Sequence, residues 1–174
     1  EAATLTSLVK NTIKAHAYED GTPALIMAKT NDLVARFSPL GNFITASFSI
    51  LDMATGQLTY CSAGHPPAII KRKAGGIDLL SKHSLIIGAF SKVNYRSGKA
   101  ILRKGDTLIF YTDGITEARS NGDFFGEERL VEFIKGLGPT PAKELPQVIF
   151  NKVWQFTGGR LSDDIALLCL CIEG

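Results

Sequence analysis

The sequence has few cysteines, no long apolar run and almost no net charge, and each of these limits what the protein can be. Cys61, Cys169 and Cys171 are the only cysteines in 174 residues, and all three lie in or beside apolar stretches. Cys169 and Cys171 share one face of a predicted strand, where they are poorly placed to bond each other. We therefore expect three reduced core thiols and a cytoplasmic location, not a disulfide-stabilised secreted fold.

The charge balance and the hydropathy pattern argue against two further classes. The net charge is +2, which gives no strong electrostatic case for a nucleic-acid partner. The basic run Lys71-Arg72-Lys73 is expected to be a solvated hairpin end. No apolar run reaches membrane-spanning length, and we expect no secretory signal peptide. The 45% hydrophobic and 21% charged residues are instead typical of one globular domain with a sizeable core.

Hydrophobic periodicity predicts helices and strands in a mixed order. A helical period predicts helices over Ala2–Tyr18, from Thr22-Pro23 to near Ser38-Pro39, over Gly126–Lys135, and from Thr140-Pro141 to about Phe156. Alternation and short apolar runs predict strands over residues 44–50, 58–62, 68–71, 77–80, 95–102, 107–111 and 165–172. A polar loop is expected over residues 118–123. The expected fold is an α+β domain in which antiparallel sheet carries helices.

The stretch Thr107–Glu117 organises the chain. Its apolar, aromatic-rich run ends at Asp113-Gly114, so a carboxylate stands at the exit of a buried strand. A rigid strand end suits a metal ligand. The alternative is that Asp113-Gly114 is only a turn dipeptide.

A second group of carboxylates precedes the last apolar run. Asp163-Asp164 leads into Ile165–Ile172, which predicts another central strand. If the two strands pair antiparallel, Asp113 and Asp163-Asp164 would face one cleft. Clustered carboxylates repel unless a cation or water lies among them, and their hard oxygens favour Mg²⁺, Mn²⁺ or Ca²⁺ over zinc.

Five short motifs follow one another along the chain. They are Ala63-Gly64-His65-Pro66-Pro67, Lys104-Gly105-Asp106, Tyr111–Glu117, Phe125-Gly126 with Arg129-Leu130, and Asp163-Asp164-Ile165-Ala166. In this order they resemble the bacterial PP2C-type serine/threonine phosphatase domain of the stage II sporulation E and RsbU-like family. The resemblance implies a single domain over residues 1–174, with an antiparallel β-sandwich flanked by helix pairs.

The resemblance also implies a two-metal centre of Mn²⁺ or Mg²⁺ at one end of that sandwich. Asp113 matches the metal-binding aspartate of the family's Tyr-Thr-Asp-Gly motif, and Asp163 matches the aspartate of its final acidic pair. Asp164 occupies the less constrained second position of that pair. Asp113 and Asp163 would serve metal-assisted hydrolysis, in which an activated water attacks phosphorus without a covalent phospho-enzyme.

Two motif residues are expected to shape the backbone. Gly114 would preserve a tight turn beside Asp113. His65 would hold the loop between two strands by hydrogen bonds, and the alternative is a contribution near the active site.

The sequence departs from the family pattern in two places. The family expects Gly-Asp-x-x-Asp and Asp-x-Ser-Gly-x-Gly before the first helix, whereas this chain begins at Glu1-Ala2-Ala3. We therefore expect an N-terminally truncated domain that lacks strands and metal ligands, has little phosphatase activity alone, and exposes sheet edges that favour a homo-oligomer. The family's Leu-Pro-Leu-Gly is altered to Leu85-Ile86-Ile87-Gly88, which puts the shape of that loop in doubt.

Partners are implied by family analogy alone. The expected substrate is a phosphorylated protein, such as an anti-sigma-factor antagonist, and the expected upstream element is a sensor or response-regulator domain of a bacterial signalling pathway. The rival function is a non-catalytic binding or switch module that keeps the fold. A structural Ca²⁺ site is a third possibility. Asp113 and Asp163 favour the enzyme, and the missing first motif favours the module.

Overall fold

The computed structural model describes residues 2–19, 21–37 and 42–173. The helices are α1 (Ala2–Ala17), α2 (Pro23–Phe37), α3 (Asp113–Thr116), α4 (Gly126–Gly136) and α5 (Leu145–Phe156). The strands are β1 (Ala46–Leu51), β2 (Gln57–Ala63), β3 (Ile69–Lys71), β4 (Ile77–Leu79), β5 (His83–Ser84), β6 (Gly98–Ile101), β7 (Thr107–Tyr111), β8 (Arg119–Ser120), β9 (Asp123–Phe124) and β10 (Leu167–Cys171). Across these ranges no helix combines the length and apolarity needed to cross a membrane.

The chain divides into two compact units, each with its own sheet and core. The first contains the described residues of Glu1–His65 and Ser81–Ile101, and the second those of Pro66–Leu80 and Leu102–Gly174. Each unit has one four-stranded sheet and a helix pair packed against it. The predicted α+β class, with antiparallel sheets that carry helices, is confirmed. That residues 1–174 act as a single domain stays a prediction.

The sheet of the first unit is built on β2. β1 pairs antiparallel with β2 from Ala46↔Ala63 to Leu51↔Leu58. Ala46 and Phe48 pack with the buried Cys61 against α1 and α2, as the alternating pattern predicts. β6 also pairs antiparallel with β2, but β5 pairs parallel with it. The two-residue strand β5 is therefore a parallel exception within a sheet whose longer pairings are antiparallel.

Helix α2 begins where the sequence predicts. The Thr22 hydroxyl accepts the N–H of Leu25 at 3.4 Å, and the Thr22 carbonyl accepts the N–H of Ile26 at 3.0 Å. Thr22 therefore caps the helix, and Pro23 occupies the first position, where no N–H is required. The predicted stop at Ser38-Pro39 lies outside the described residues.

The altered loop Leu85–Gly88 is held in place without the family's proline. Ile87 is fully buried and exchanges two backbone hydrogen bonds of 3.0 Å with Ile44. Gly88 has φ of +91°, and its N–H donates to the side-chain oxygen of buried Asn31 at 3.0 Å. One amide side chain on α2 thus fixes the loop.

The sheet of the second unit has the order β10-β7-β3-β4. On β7, Ile109 and Tyr111 belong to a core cluster with fully buried side chains of α4 and α5, such as Leu130 and Ile149. Each fully buried side chain of this type contributes about 1.5–3 kcal/mol to stability. The cluster therefore anchors β7, in agreement with the prediction that the stretch Thr107–Glu117 contains a buried strand.

The last strand is shorter and less buried than predicted. β10 spans Leu167–Cys171 and lies at the edge of the described sheet, beside β7. Leu168 is 53% exposed and Leu170 is 46% exposed, so the prediction of a central strand over Ile165–Ile172 is wrong. An unbroken apolar run indicates a strand but does not reveal whether both of its faces are covered.

Local turns explain the other differences from the predicted elements. The expected polar loop at 118–123 is the β8–β9 hairpin, which turns at Asn121-Gly122 with φ of 51° and 93°. The signal at Thr140-Pro141 does not start α5, because the Pro141 carbonyl closes a turn with the N–H of Glu144 at 2.9 Å. The strand expected over 95–102 is β6, which begins only at Gly98.

The cysteines are free thiols in three different environments. Burial raises the pKa of both Cys61 and Cys169 to about 11, so both stay protonated at neutral pH. Cys171 is exposed near the end of β10, which corrects the expectation that all three lie in the core.

The basic run at 71–73 is not simply a solvated hairpin end. The Arg72 guanidinium forms ion pairs with Asp78 and with Asp106, the second at 2.6 Å. Asp106 is 3% exposed and also accepts the backbone N–H groups of Lys73 at 3.1 Å and Arg103 at 3.0 Å. Burial alone raises the pKa of Asp106, but these amides and the Arg72 guanidinium together hold it below its usual value.

We expect Asp106→Asn to lower the free energy of unfolding at pH 7 by about 1.5–3 kcal/mol, the range for hydrogen bonds to a charged group. Because the folded-state pKa is lowered, the carboxylate stabilises the fold above the ordinary Asp pKa, and this is lost as the pH falls through the folded-state value. The difference in unfolding free energy between wild type and Asp106→Asn, measured by urea denaturation, should therefore become smaller in acid.

The matched control is Asp78→Asn, which removes the more exposed partner of the same guanidinium. It should cost less than about 1 kcal/mol, as surface ion pairs do. Equal losses of unfolding free energy in Asp106→Asn and Asp78→Asn would contradict the conclusion that the buried Asp106 contributes more to stability than the exposed Asp78.

Candidate metal centre

The C-terminal end of β7 and the N-terminal end of β10 lie side by side. The two strands pair antiparallel with Tyr111 opposite Leu167. Beyond the strands, the Thr112 N–H donates to the Ala166 carbonyl at 3.1 Å. The condition stated for the sequence prediction, antiparallel pairing of these two strands, is therefore met, and the pairing brings the Asp113 segment to the Asp163-Asp164 segment.

The side chain of Thr112 ties these two segments together. Its hydroxyl accepts the N–H of Ala166 at 2.9 Å and donates to the carbonyl of Asp164 at 3.2 Å. The Thr112 side chain thus bridges residues more than fifty positions away in sequence. This role was not predicted from the sequence. The local signal for it is the position of Thr112 between a buried strand and the carboxylate of Asp113.

Gly114 is required by close approach of the same two segments. A Cβ at this position would lie 2.3 Å from the Asp164 carbonyl oxygen, a distance that real side chains do not tolerate. The expectation that Gly114 preserves the backbone shape is confirmed, and its cause is packing against the Asp164 backbone.

The three candidate carboxylates are exposed and differ in their local bonding. Asp113 is the first residue of α3, and its carbonyl accepts the N–H of Glu117 at 2.7 Å. The Asp163 carboxylate accepts the N–H of Asp164 at 2.7 Å, which fixes its orientation. The carboxylates of Asp113 and Asp164 form no hydrogen bond or ion pair with the described part of the chain. Their oxygens are therefore available to a ligand.

The donor chemistry at this sheet end fits a hard divalent cation. Mg²⁺ in proteins is typically held by one or two carboxylates, with waters and substrate phosphates completing the octahedron. Within residues 2–19, 21–37 and 42–173, however, no three His, Cys, Asp or Glu side chains converge closely enough to hold one metal ion. The site offers carboxylates on two adjoining segments and not a closed protein cage.

His65 has a structural place in the loop after β2. Its Nδ1 is hydrogen-bonded to the Thr45 hydroxyl at 3.2 Å, and its carbonyl accepts the Ser62 hydroxyl at 2.9 Å. The preceding Gly64 has φ of +68°, and a Cβ there would meet Ile86 at 2.3 Å. The expectation that His65 holds the loop by hydrogen bonds is confirmed.

The sequence as a whole matches one family. The family profile described as "Stage II sporulation protein E (SpoIIE)" matches residues 1–173. The chain belongs to the SpoIIE family. The PP2C-type resemblance carried by the five motifs is thereby confirmed.

One curated relative of the chain carries the name of an enzyme. The phosphoserine phosphatase RsbU of Bacillus subtilis is 27% identical over 149 residues, which cover 85% of this chain and 44% of RsbU. The chain spans less than half the length of the curated relatives it matches.

Solved structures show the same fold. The SiaA-PP2C domain of Pseudomonas aeruginosa has a TM-score of 0.84 at 21% identity, over 98% of this chain and 70% of that one. The catalytic domain of the serine/threonine phosphatase PstP, solved with two manganese ions, has a TM-score of 0.70 at 15% identity, over 99% of this chain and 82% of that one. These likenesses establish the PP2C-like fold of this SpoIIE family chain.

We expect Thr112→Val to speed amide hydrogen exchange at Ala166, because the variant keeps the shape of Thr112 but removes the acceptor of that N–H. The free energy of unfolding should fall by about 1 kcal/mol, typical of one lost hydrogen bond. Thr112→Ser keeps the hydroxyl and should restore slow exchange. Equally slow exchange at Ala166 in both variants would show that the hydroxyl does not join the segments.

We expect Gly114→Ala to lower the free energy of unfolding by about 1–3 kcal/mol, as overpacking does, because its methyl group would collide with the Asp164 carbonyl. Gly136→Ala on α4 is the matched control, since a Cβ there meets nothing within 4 Å. The control should be neutral or stabilising in thermal denaturation. An unchanged melting temperature for Gly114→Ala would rule out the close approach.

Proposed function

We propose that this chain is the catalytic part of a metal-dependent phosphoprotein phosphatase that hydrolyses phosphoserine or phosphothreonine. The observation that carries the proposal is the joining of the β7 and β10 ends, with three exposed aspartates on the joined segments. The name of RsbU, a phosphoserine phosphatase, supports the same reaction class.

We assign Asp113 and Asp163 as the principal metal ligands, with Asp164 as a further ligand, for Mn²⁺ or Mg²⁺. When bound, such cations supply Lewis acidity that activates water and offsets charge on the phosphoryl oxygens. The two manganese ions of PstP support this choice of metal.

The other residues of the chain hold these carboxylates in place. Thr112 fixes the separation of the two segments by bonding both Asp164 and Ala166. The Asp164 N–H orients the Asp163 carboxylate. Below them, the buried side chains of β7 pack with α4 and α5 in the core cluster and anchor the strand that leads to Asp113. The exposure of the aspartates leaves room for a phosphorylated segment of a protein.

The substrate and the partners are part of the same proposal. We place the chain in bacterial signalling, with an anti-sigma-factor antagonist as the phosphorylated substrate and a sensor or response-regulator domain upstream. A cytoplasmic location suits such partners. A homo-oligomer is supported by the exposed Leu168 and Leu170 of the edge strand β10.

A binding or switch module is the second candidate function. The observation that favours it is the lack of three converging metal-binding side chains among the described residues. For the same reason, we propose that the 174-residue chain alone hydrolyses phosphate esters only weakly.

The test is hydrolysis of p-nitrophenyl phosphate and of a phosphoserine peptide by the full-length protein with Mn²⁺ or Mg²⁺. We expect activity that falls about a hundredfold or more in Asp113→Asn and in Asp163→Asn, the size of loss seen when one electrostatic stabiliser is removed. Glu128→Gln, which removes an exposed charge on α4, is the control and should retain full activity.

Two results would overturn the proposal that the chain is part of an enzyme. One is a folded full-length protein with no activity on either substrate, which would favour the binding module. The other is unchanged activity in Asp113→Asn, which would move the chemistry elsewhere.

A further inference from the structure

A concave site lies at the end of the second-unit sheet that is away from Asp113. It is a cavity of about 550 Å³, within the range of small-molecule sites. Its floor is a cross-strand row in which Lys71 on β3, Thr107 on β7 and Cys171 on β10 are direct neighbours. Paired residues on adjacent strands point to the same face, so all three side chains share one side of the sheet.

The wall of this cavity, which we call the basic pocket, is the segment 137–142 after α4. It contributes apolar surface from Leu137, Pro139 and Pro141. The Lys71 ammonium donates to the Gly138 carbonyl at 3.1 Å, which ties the floor to the wall. This hydrogen bond joins β3 to the segment that follows α4.

The charged side chains that line the basic pocket are all basic. Its lining includes Lys71, Arg72 and Lys73 and no aspartate or glutamate. Arg72 is already paired with carboxylates outside the lining. Neither lysine takes part in an ion pair among the described residues. Two uncompensated ammonium groups beside an apolar wall favour an anion with an apolar part.

Thr107 supplies an independent observation. The residue is only 6% exposed, yet its hydroxyl forms no hydrogen bond within the described part of the chain. The hydroxyl oxygen is not among the fully buried, unpartnered polar atoms of the described residues, so it is accessible from the basic pocket that Thr107 lines. A ligand oxygen in the basic pocket could therefore hydrogen-bond to this hydroxyl beside Lys71.

The basic pocket is separate from the candidate metal centre. Thr107 begins β7 and Asp113 follows its end, so the length of the strand, roughly 13 Å, lies between them. A ligand here would not be the phosphoryl group that reacts at the aspartates.

We propose that the basic pocket binds a small organic anion, a carboxylate or phosphate attached to an apolar body. The anionic group lies among Lys71, Lys73 and the Thr107 hydroxyl, and the apolar body packs against Leu137 and the two prolines.

The test uses 1-naphthoate and 1-naphthylphosphonate as anionic probes with the same apolar body, and 1-naphthamide as the neutral control, in the presence of a chelator that removes divalent metal. Binding is followed by amide NMR shifts at Thr107, Gly138 and Cys171. We expect saturable shifts with an anionic probe, and binding about tenfold weaker for the neutral amide, the effect of one charge-assisted interaction. A preference for naphthoate or naphthylphosphonate identifies the anionic group as carboxylate or phosphate.

Two substitutions test the assigned contacts. Lys73→Gln alters an exposed residue and should weaken binding of the preferred anion about tenfold with no effect on folding. Thr107→Val should weaken it about fivefold through loss of the hydroxyl. Lys82→Gln, an exposed lysine of the first unit, should leave the affinity unchanged.

Cys171 offers a second readout. Its thiol is exposed on the floor of the basic pocket, whereas the other two cysteines are more buried. The bound anion should slow the reaction of Cys171 with iodoacetamide about fivefold or more, since the probe covers it at saturation.

Four results would overturn the proposal, and the first three concern the basic pocket itself. They are no saturable shift at the pocket residues with either anion, equal binding of the neutral amide, and unchanged affinity in folded Lys73→Gln protein. Shifts centred on the exposed Leu168 and Leu170 would also overturn it, because they would mark adsorption to the edge strand.

Discussion

The pairing of β7 with β10, continued past both strands by the Thr112 hydroxyl, is the interaction on which the candidate centre depends. Asp113 and Asp163 are far apart in sequence, and bringing such segments together costs chain entropy that local contacts do not recover. The buried cluster of Ile109, Tyr111 and the helix side chains offsets this cost below the site. The Thr112 hydrogen bonds then fix how the two acidic segments meet.

The two ends of one sheet carry opposite chemistry in a chain with a net charge of only +2. One end presents the exposed aspartates, and the other presents Lys71 and Lys73 above the buried Asp106. The buried Asp106 carboxylate forms an ion pair with Arg72 and accepts the backbone N–H of Lys73. The ammonium groups of Lys71 and Lys73 form no ion pair with it. The Lys104-Gly105-Asp106 motif therefore has a structural role in this unit.

Local chemistry could be predicted from the sequence, and long-range consequences could not. The start of α2 at Thr22 and the end of β7 before Asp113 follow from capping and strand signals within a few residues. The exposure of Leu168 and Leu170 does not follow, because an apolar run looks the same at an edge and in a centre. The Thr112 contacts and the Lys71–Thr107–Cys171 row depend on strand register, which the sequence pattern leaves open. The meeting of the acidic segments was predicted on the condition that the two strands pair antiparallel, and the structure supplies that pairing.

The most direct test of the joined site is a titration with Mn²⁺ followed by paramagnetic broadening of amide NMR signals. If the two segments share a cation, the signals of residues 112–114 and 163–166 will broaden together at the lowest Mn²⁺ concentrations, while the signals of Thr107 and Gly138 stay sharp. Asp113→Asn should reduce the broadening of both segments. Broadening of only one segment, or of neither before the rest of the chain, would contradict a shared cation site at the ends of β7 and β10.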